Sequence, residues 1–165
     1  MKYILIFSLF LSAPLLAESS PEHAVKQLWQ SLSRDPQQKP NITKLKELLH
    51  PKAVIYGAST KNDSPELKIW SANDFVQMLD KKSETGFYEC EITRKMQIYD
   101  RFAHVYSVVE SRYKRDQIDP DFVGVNSIQL YLAGNKWQIL SIYYQVENPD
   151  IPIPLLNGET GVCLN

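Results

Sequence analysis

From Phe87 to Glu147 the chain alternates apolar and polar residues, broken only at points where the composition signals a turn. A period of two over that length is the pattern of half-buried β-strands. Four strands are predicted: Phe87 to Tyr99, Phe102 to Lys114, Phe122 to Leu132 and Lys136 to Glu147. Their connections are Asp100-Arg101, a loop from Arg115 to Asp121, and Gly134-Asn135. Links this short join only antiparallel neighbours, so this half of the chain is expected to be a meander.

The preceding half has a different period. Ser20 can cap a helix with Pro21 at its first position, along which Ala24, Val25, Leu28 and Leu32 form an apolar stripe. Asn41 can cap a second helix carrying Ile42, Leu45, Leu48 and Leu49, which His50-Pro51 ends. Ser71 with Asp74 resembles a capping box opening a third, with Phe75, Val76 and Leu79 facing inward. Between the second and third, Ala53 to Ala58 and Leu67 to Trp70 read as short strands around a polar turn at 61–65. Helices first and a long meander after them predict an α+β domain with three helices on one face of a mostly antiparallel sheet.

Lys2, the apolar run from Tyr3 to Leu16, and Ala17 before Glu18-Ser19-Ser20 form a secretory signal with its cut after Ala17. The run is shorter than the roughly 20 residues a membrane-spanning helix needs. The reading is therefore a signal peptide over 1–17, one domain over 18–148, and an extended tail over 149–165, where Pro149, Pro152 and Pro154 favour an open path. The mature protein is expected to be periplasmic or secreted, with no membrane attachment after cleavage. A formal net charge of −1 leaves no field to recruit nucleic acid or an anionic membrane. Two triplets, Asn41-Ile42-Thr43 and Asn62-Asp63-Ser64, match the glycosylation acceptor, which matters only in a eukaryotic secretory pathway.

Export permits a disulfide between Cys90 and Cys163, whose closed loop is worth roughly 4 kcal/mol in the chain-entropy model. The alternative is a buried apolar Cys90 and a free Cys163 on a loose tail. Sequence does not supply the distance between their backbones.

With a two-residue turn at Asp100-Arg101, one face of the first hairpin pairs Ile98 with Ala103, Met96 with Val105, Arg94 with Ser107 and Ile92 with Val109. The other face carries Glu89, Glu91, His104 and Glu110 and reads as the wetter one. The Gly134-Asn135 turn pairs Leu132 with Trp137, Leu130 with Ile139, Ile128 with Ser141, Asn126 with Tyr143 and Gly124 with Gln145. These registers predict a ligand pocket of Tyr56, Arg94, Ser107, Asn126, Tyr143 and Gln145, in which an inward guanidinium favours an anionic group on an unknown small molecule. The competing reading is that Arg94 reaches the rim or pairs with a protein acid. Val123, Val125, Leu140, Ile142, Tyr144 and Val146 fall on the reverse face, which is too apolar to stand open. A homodimer through this outer sheet face would cover it, as would the C-terminal tail.

Pro21-Glu22-His23, Leu49-His50-Pro51-Lys52-Ala53-Val54 and Trp137-Gln138-Ile139 after a glycine turn carry a resemblance to the nuclear transport factor 2-like (SnoaL-like) superfamily. Ala103-His104-Val105-Tyr106-Ser107 through Glu110-Ser111-Arg112, then Gly124-Val125-Asn126-Ser127-Ile128-Gln129-Leu130, are similar to its uncharacterised bacterial members. The resemblance implies a cone, in which helices close a curved sheet around a pocket. It implies no single function, because that fold hosts isomerases, dehydratases, cyclases and plain binding or assembly modules. Ketosteroid isomerases of the superfamily use a carboxylate on the strand after the second helix and a tyrosine in the first helix. Here that strand is Ala53-Val54-Ile55-Tyr56-Gly57, and the first helix offers Trp29, Gln30 and Ser31. Scytalone dehydratases need inward histidines, whereas His23 and His50 sit near helix ends and His104 on the wetter strand face.

Three scattered histidines and two distant cysteines show no metal spacing, and no phosphate-binding glycine loop or nucleophile elbow occurs. No metal and no cofactor is expected. The sequence thus points to a non-enzymatic small-molecule binding or dimerisation module. The alternative is a lyase or isomerase using Glu110 or Asp74, if the strand faces are the reverse of those read above. A third reading leaves the pocket vestigial and makes the dimer surface the working part.

Overall fold

The computed structural model describes residues 20–61 and 64–164; the signal segment 1–17 lies outside the described residues, as do Asn62 and Asp63. Three helices, α1 (Pro21–Leu32), α2 (Ile42–Leu48) and α3 (Ala72–Leu79), accompany six strands. These are β1 (Leu49–Lys61), β2 (Ser64–Ser71), β3 (Tyr88–Tyr99), β4 (Phe102–Arg112), β5 (Phe122–Ala133) and β6 (Lys136–Val146). Each helix begins at the polar residue expected to cap it. Ser20 Oγ accepts from the His23 N–H at 3.1 Å, Asn41 Oδ1 from Lys44 at 3.0 Å, and Ser71 Oγ from Asp74 at 3.2 Å, satisfying donors that a helix start leaves unpaired.

The strands form one sheet in the order β2-β1-β6-β5-β4-β3. Every pairing is antiparallel except β1 with β6, which makes the sheet mixed. The two tight turns lie where composition put them. Tyr99 pairs with Phe102 around Asp100-Arg101, and Ala133 with Lys136 around Gly134-Asn135. Gly134 takes φ 63°, a conformation glycine reaches without steric cost.

One face of this sheet meets the helices. Val25 and Leu28 of α1, Leu45 of α2 and Phe75 and Val76 of α3 are buried against Ile55, Val105, Ile128, Leu130, Ile139 and Ile142. Burying each such side chain contributes about 1.5 to 3 kcal/mol against the chain entropy lost on folding. A second, smaller cluster lies on the outer face, where Cys90, Ile92 and Val108 pack against Tyr106, Val123 and the tail residues Ile153 and Leu155.

Two irregularities interrupt the strand pairing, and they decide which side chains face the helices. In β3 the register shifts between Glu91 and Thr93, so Thr93 opposes Val108 while Glu91 opposes Val109, leaving Ile92 as the extra residue. In β6 it shifts beside Leu140: Ile139 opposes Leu130 but Ser141 opposes Gln129. Because side chains alternate at every residue, one inserted residue moves all that follow to the opposite face. The pairings of the sequence reading therefore hold beside both turns and fail beyond both bulges.

Candidate functional site

Beyond the bulges, Glu89 and Glu91 turn toward the helices on β3, as do Ile142, Tyr144 and Val146 on β6. A cavity of about 300 Å³ opens there between the sheet and helices α1 and α3. Its walls include Leu32, Phe75, Val109, Phe122, Ile142 and Val146, and its polar members are Glu89, Ser111 and Asn126. Tyr144 lines it too, leaning across Gly57 of β1. A Cβ at Gly57 would strike the Tyr144 hydroxyl and the Trp70 ring, so the bare backbone there makes room for the phenol.

Glu89 is the chemically distinctive group. Its Oε2 accepts from Ser111 Oγ at 2.9 Å, and its backbone N–H donates to Ser33 Oγ at 2.9 Å just past α1. Burial pushes its carboxyl up to about 7, against the opposing pull of the Ser111 hydrogen bond and the Arg34 charge. The residue retains partial exposure because it borders open space inside the fold, while its carboxyl lies away from bulk water. Arg34 approaches through a cation–π contact on Phe87, 5.2 Å from the ring centroid, and makes no ion pair with Glu89 within 4 Å. Burial also raises the Tyr144 hydroxyl above the ordinary tyrosine value.

The neighbouring acid has different partners. Glu91, 5% exposed, accepts from Ser107 Oγ at 2.6 Å and Arg94 Nε at 3.0 Å, and pairs with Arg94 Nη2. Two adjacent inward carboxyls thus differ in their partners. Glu91 is held by a guanidinium and a hydroxyl, while Glu89 has one hydroxyl and a more distant cation.

The residues singled out from sequence are dispersed by these registers. Asn126 lines the cavity, and its Nδ2 makes only long contacts, 3.4 Å to the Ser107 carbonyl and 3.5 Å to that of Gly124. Ser107 faces inward but is fully buried beneath Glu91. Arg94 is spent on Glu91 and also reaches the Glu22 carbonyl at 3.4 Å, so the guanidinium is not a free anchor for an anion. Tyr56 and Tyr143 oppose each other on the outer face, and Gln145 lies beside Tyr143 there, its Oε1 3.4 Å from the Tyr143 hydroxyl. The acids of the alternative reading are placed elsewhere. Glu110 is buried on the outer face, paired with Arg112 at 2.7 Å, and Asp74 is exposed at the start of α3. Ile142, Tyr144 and Val146, three of the residues from which an outer dimer face was read, are cavity walls instead.

Cys90 and Cys163 form a disulfide, with Cα atoms 5.1 Å apart. It draws the tail along the outer face: Thr93 Oγ1 donates to the Leu155 carbonyl at 2.8 Å, and the Gly161 N–H to Glu110 Oε2 at 3.0 Å. Among the described residues, no three His, Cys, Asp or Glu side chains group to hold a metal ion, and no helix is long and apolar enough to cross a membrane.

The sequence matches no protein-family pattern and no curated protein. Solved structures do resemble it. A nuclear transport factor 2-like protein of unknown function from Shewanella baltica aligns with 77% of this chain and 94% of its own at a TM-score of 0.53 and 14% identity. This chain has the nuclear transport factor 2-like fold. A second protein so described, from Pseudomonas putida and also of unknown function, is similar over 90% of this chain and 96% of its own, with TM-score 0.57 and 8% identity. A candidate ketosteroid isomerase from Parabacteroides distasonis is similar over 83% and 95%, with TM-score 0.56 and 11% identity. At such identities nuclear transport factor 2-like describes the fold alone.

Proposed function

We propose that this nuclear transport factor 2-like protein is an exported domain that holds a small, largely apolar molecule in the cavity above β4, β5 and β6, with Glu89 meeting the molecule's polar end. The observation that carries the reading is a carboxyl poised near neutrality inside a mainly apolar cavity. An ionised carboxylate is costly in such surroundings, so Glu89 favours a partner that shares or accepts its proton. Carbonyl compounds and alcohols with an apolar body have that chemistry. Titration with 2-naphthol, followed by its fluorescence, tests this. Saturable binding that Val109→Trp abolishes and Glu89→Gln alters supports it, and no binding to the folded wild-type protein contradicts it.

The same carboxyl favours a second reading, an isomerase or lyase in which Glu89 moves a proton. A group with a pKa of about 7 is divided between acid and base near neutral pH, where general acid–base catalysis is most efficient. Hydrogen exchange into D₂O at the carbon next to the carbonyl of a bound cyclic ketone separates the two. Exchange that Glu89→Gln removes supports catalysis; binding without exchange supports the binding module. Homodimerisation through the outer sheet face is also proposed. It rests on the exposed Tyr131, Leu140 and Tyr143 and is checked by light scattering.

A further inference from the structure

Glu89 borders three separate spaces. Besides the apolar cavity, a groove of about 370 Å³ runs between α1 and β3, with Lys26, Gln30, Glu89 and Glu91 on one side and Cys163 and Leu164 on the other. A wider cleft of about 550 Å³, bordered by Tyr88, Arg112, Arg115 and Gly161, also reaches Glu89. Cys163 borders both of these clefts, so the end of the tail stands between them beside the carboxyl.

Its attachments are few and specific. The Leu164 N–H donates to the Glu91 carbonyl at 2.7 Å, next to the bulge, which leaves this carbonyl available to a partner outside the sheet. Gly161 is tied to Glu110, and the disulfide joins Cys163 to the strand residue adjacent to Glu89. Residues 159–164 are themselves exposed, and apart from the Cys163 sulfur bonded to Cys90 they bring no side chain to either buried cluster. Their position, rather than any contribution to a core, is what distinguishes them.

We propose that residues 159–164, clamped by the disulfide, are the outer wall of the Glu89 site and keep bulk water from the carboxyl. The inference takes the Glu89 cavity of the proposed function as the site. Desolvation is the largest influence on Glu89, and it depends on how many water-accessible paths end at the carboxyl. The wall divides and narrows the two clefts on the side away from the apolar cavity, so that fewer waters reach the carboxyl from there. The charged or titratable groups around these clefts are Lys26 on α1, Arg34 after it, Tyr88, Glu91 with Arg94 on β3, Arg112 on β4, and Arg115 in the loop beyond. None of them belongs to 159–164. Shortening the chain also removes the Glu159 carboxylate and frees the Cys90 thiol, so the reduced intact protein, which keeps Glu159 and has the same thiol, separates solvent access from lost charge.

The test is a ¹³C titration of the Glu89 carboxyl in the intact oxidised protein, in a chain ending at Gly158, and in the intact protein reduced by dithiothreitol. The shortened chain retains Ile153 and Leu155 and hence the outer cluster. Glu89 is expected to titrate near 7 in the oxidised protein and about one unit or more lower in the shortened chain. Should that chain fail to fold, the reduced protein supplies the comparison, read once fast exchange of the Leu164 amide shows that the segment has left Glu91. A value near 7 with the wall removed overturns this inference alone. An ordinary value near 4.3 in the oxidised protein overturns the reading of the site on which it rests.

Discussion

The half of the sheet beside the two tight turns and the half beyond the two bulges follow the same alternation in opposite phase. Beside the turns, Met96, Val105, Leu130 and Ile139 face the helices, as counting outward from Asp100-Arg101 and Gly134-Asn135 requires. Beyond Ile92 and Leu140 the count is off by one, and Glu91, Ile142 and Tyr144 enter where an unbroken count places Ile92, Ser141 and Tyr143. The regular half packs a core and the shifted half leaves a cavity. Bulges commonly redirect side chains in this way beside functional sites, at the cost of an unpaired residue.

The largest expected effect comes from placing a charge on the inward face of β6 beyond its bulge. Replacing Ile142 by aspartate would put an unpaired carboxyl among the buried residues that face the helices. The loss should exceed about 4 kcal/mol or abolish cooperative unfolding in urea. A cost below about 1 kcal/mol would mean that the faces of β6 are not committed. Replacing Cys90 and Cys163 together by alanine should cost about 4 kcal/mol in the same measurement, since the bridge spans 73 residues. Neighbouring residues beyond the bulge offer a finer comparison. Ile142→Ala should cost about 3 kcal/mol as a buried deletion, and Tyr143→Ala should stay within about 0.5 kcal/mol because its ring lies exposed on the outer face. Similar costs at the two positions would erase the phase difference.

What could be read from the chain follows from how local each signal is. Ser20, Asn41 and Ser71 act on donors three residues away, and Gly134 acts within its own turn, so helix starts and turn positions were legible. The three helices and the antiparallel β3 to β6 meander followed from them. The bulges gave no such signal. Ile92 and Leu140 are ordinary strand residues, and neither bulge carries the glycine that would mark it. Glu89 and Glu91 were accordingly assigned to the wet face, although each is an acid alternating with apolar or aromatic neighbours. A carboxylate amid such residues on both flanks was the available hint of a special environment. The parallel pairing of β1 with β6 was also not legible, because it joins segments far apart in the chain.

The inward position of Glu89 is the point on which the functional reading depends, and it has a thermodynamic signature. Its folded pKa, about 7, lies above the reference value of 4.5, so the folded chain binds this proton more tightly than the unfolded chain. The stability it contributes is fully present below 4.5 and is lost as pH rises through 7. Glutamine resembles the protonated form and carries no such dependence. The direct measurement is the unfolding free energy of wild type and Glu89→Gln across this range, where other titrating groups cancel in the difference. A gap should open as pH rises, with the variant favoured by roughly 2 kcal/mol at about pH 8, less than the full shift implies because the carboxyl borders an open cavity. A gap that does not change with pH would place Glu89 in water, and one that favours wild type as pH rises would make it a stabilised carboxylate; either contradicts the account.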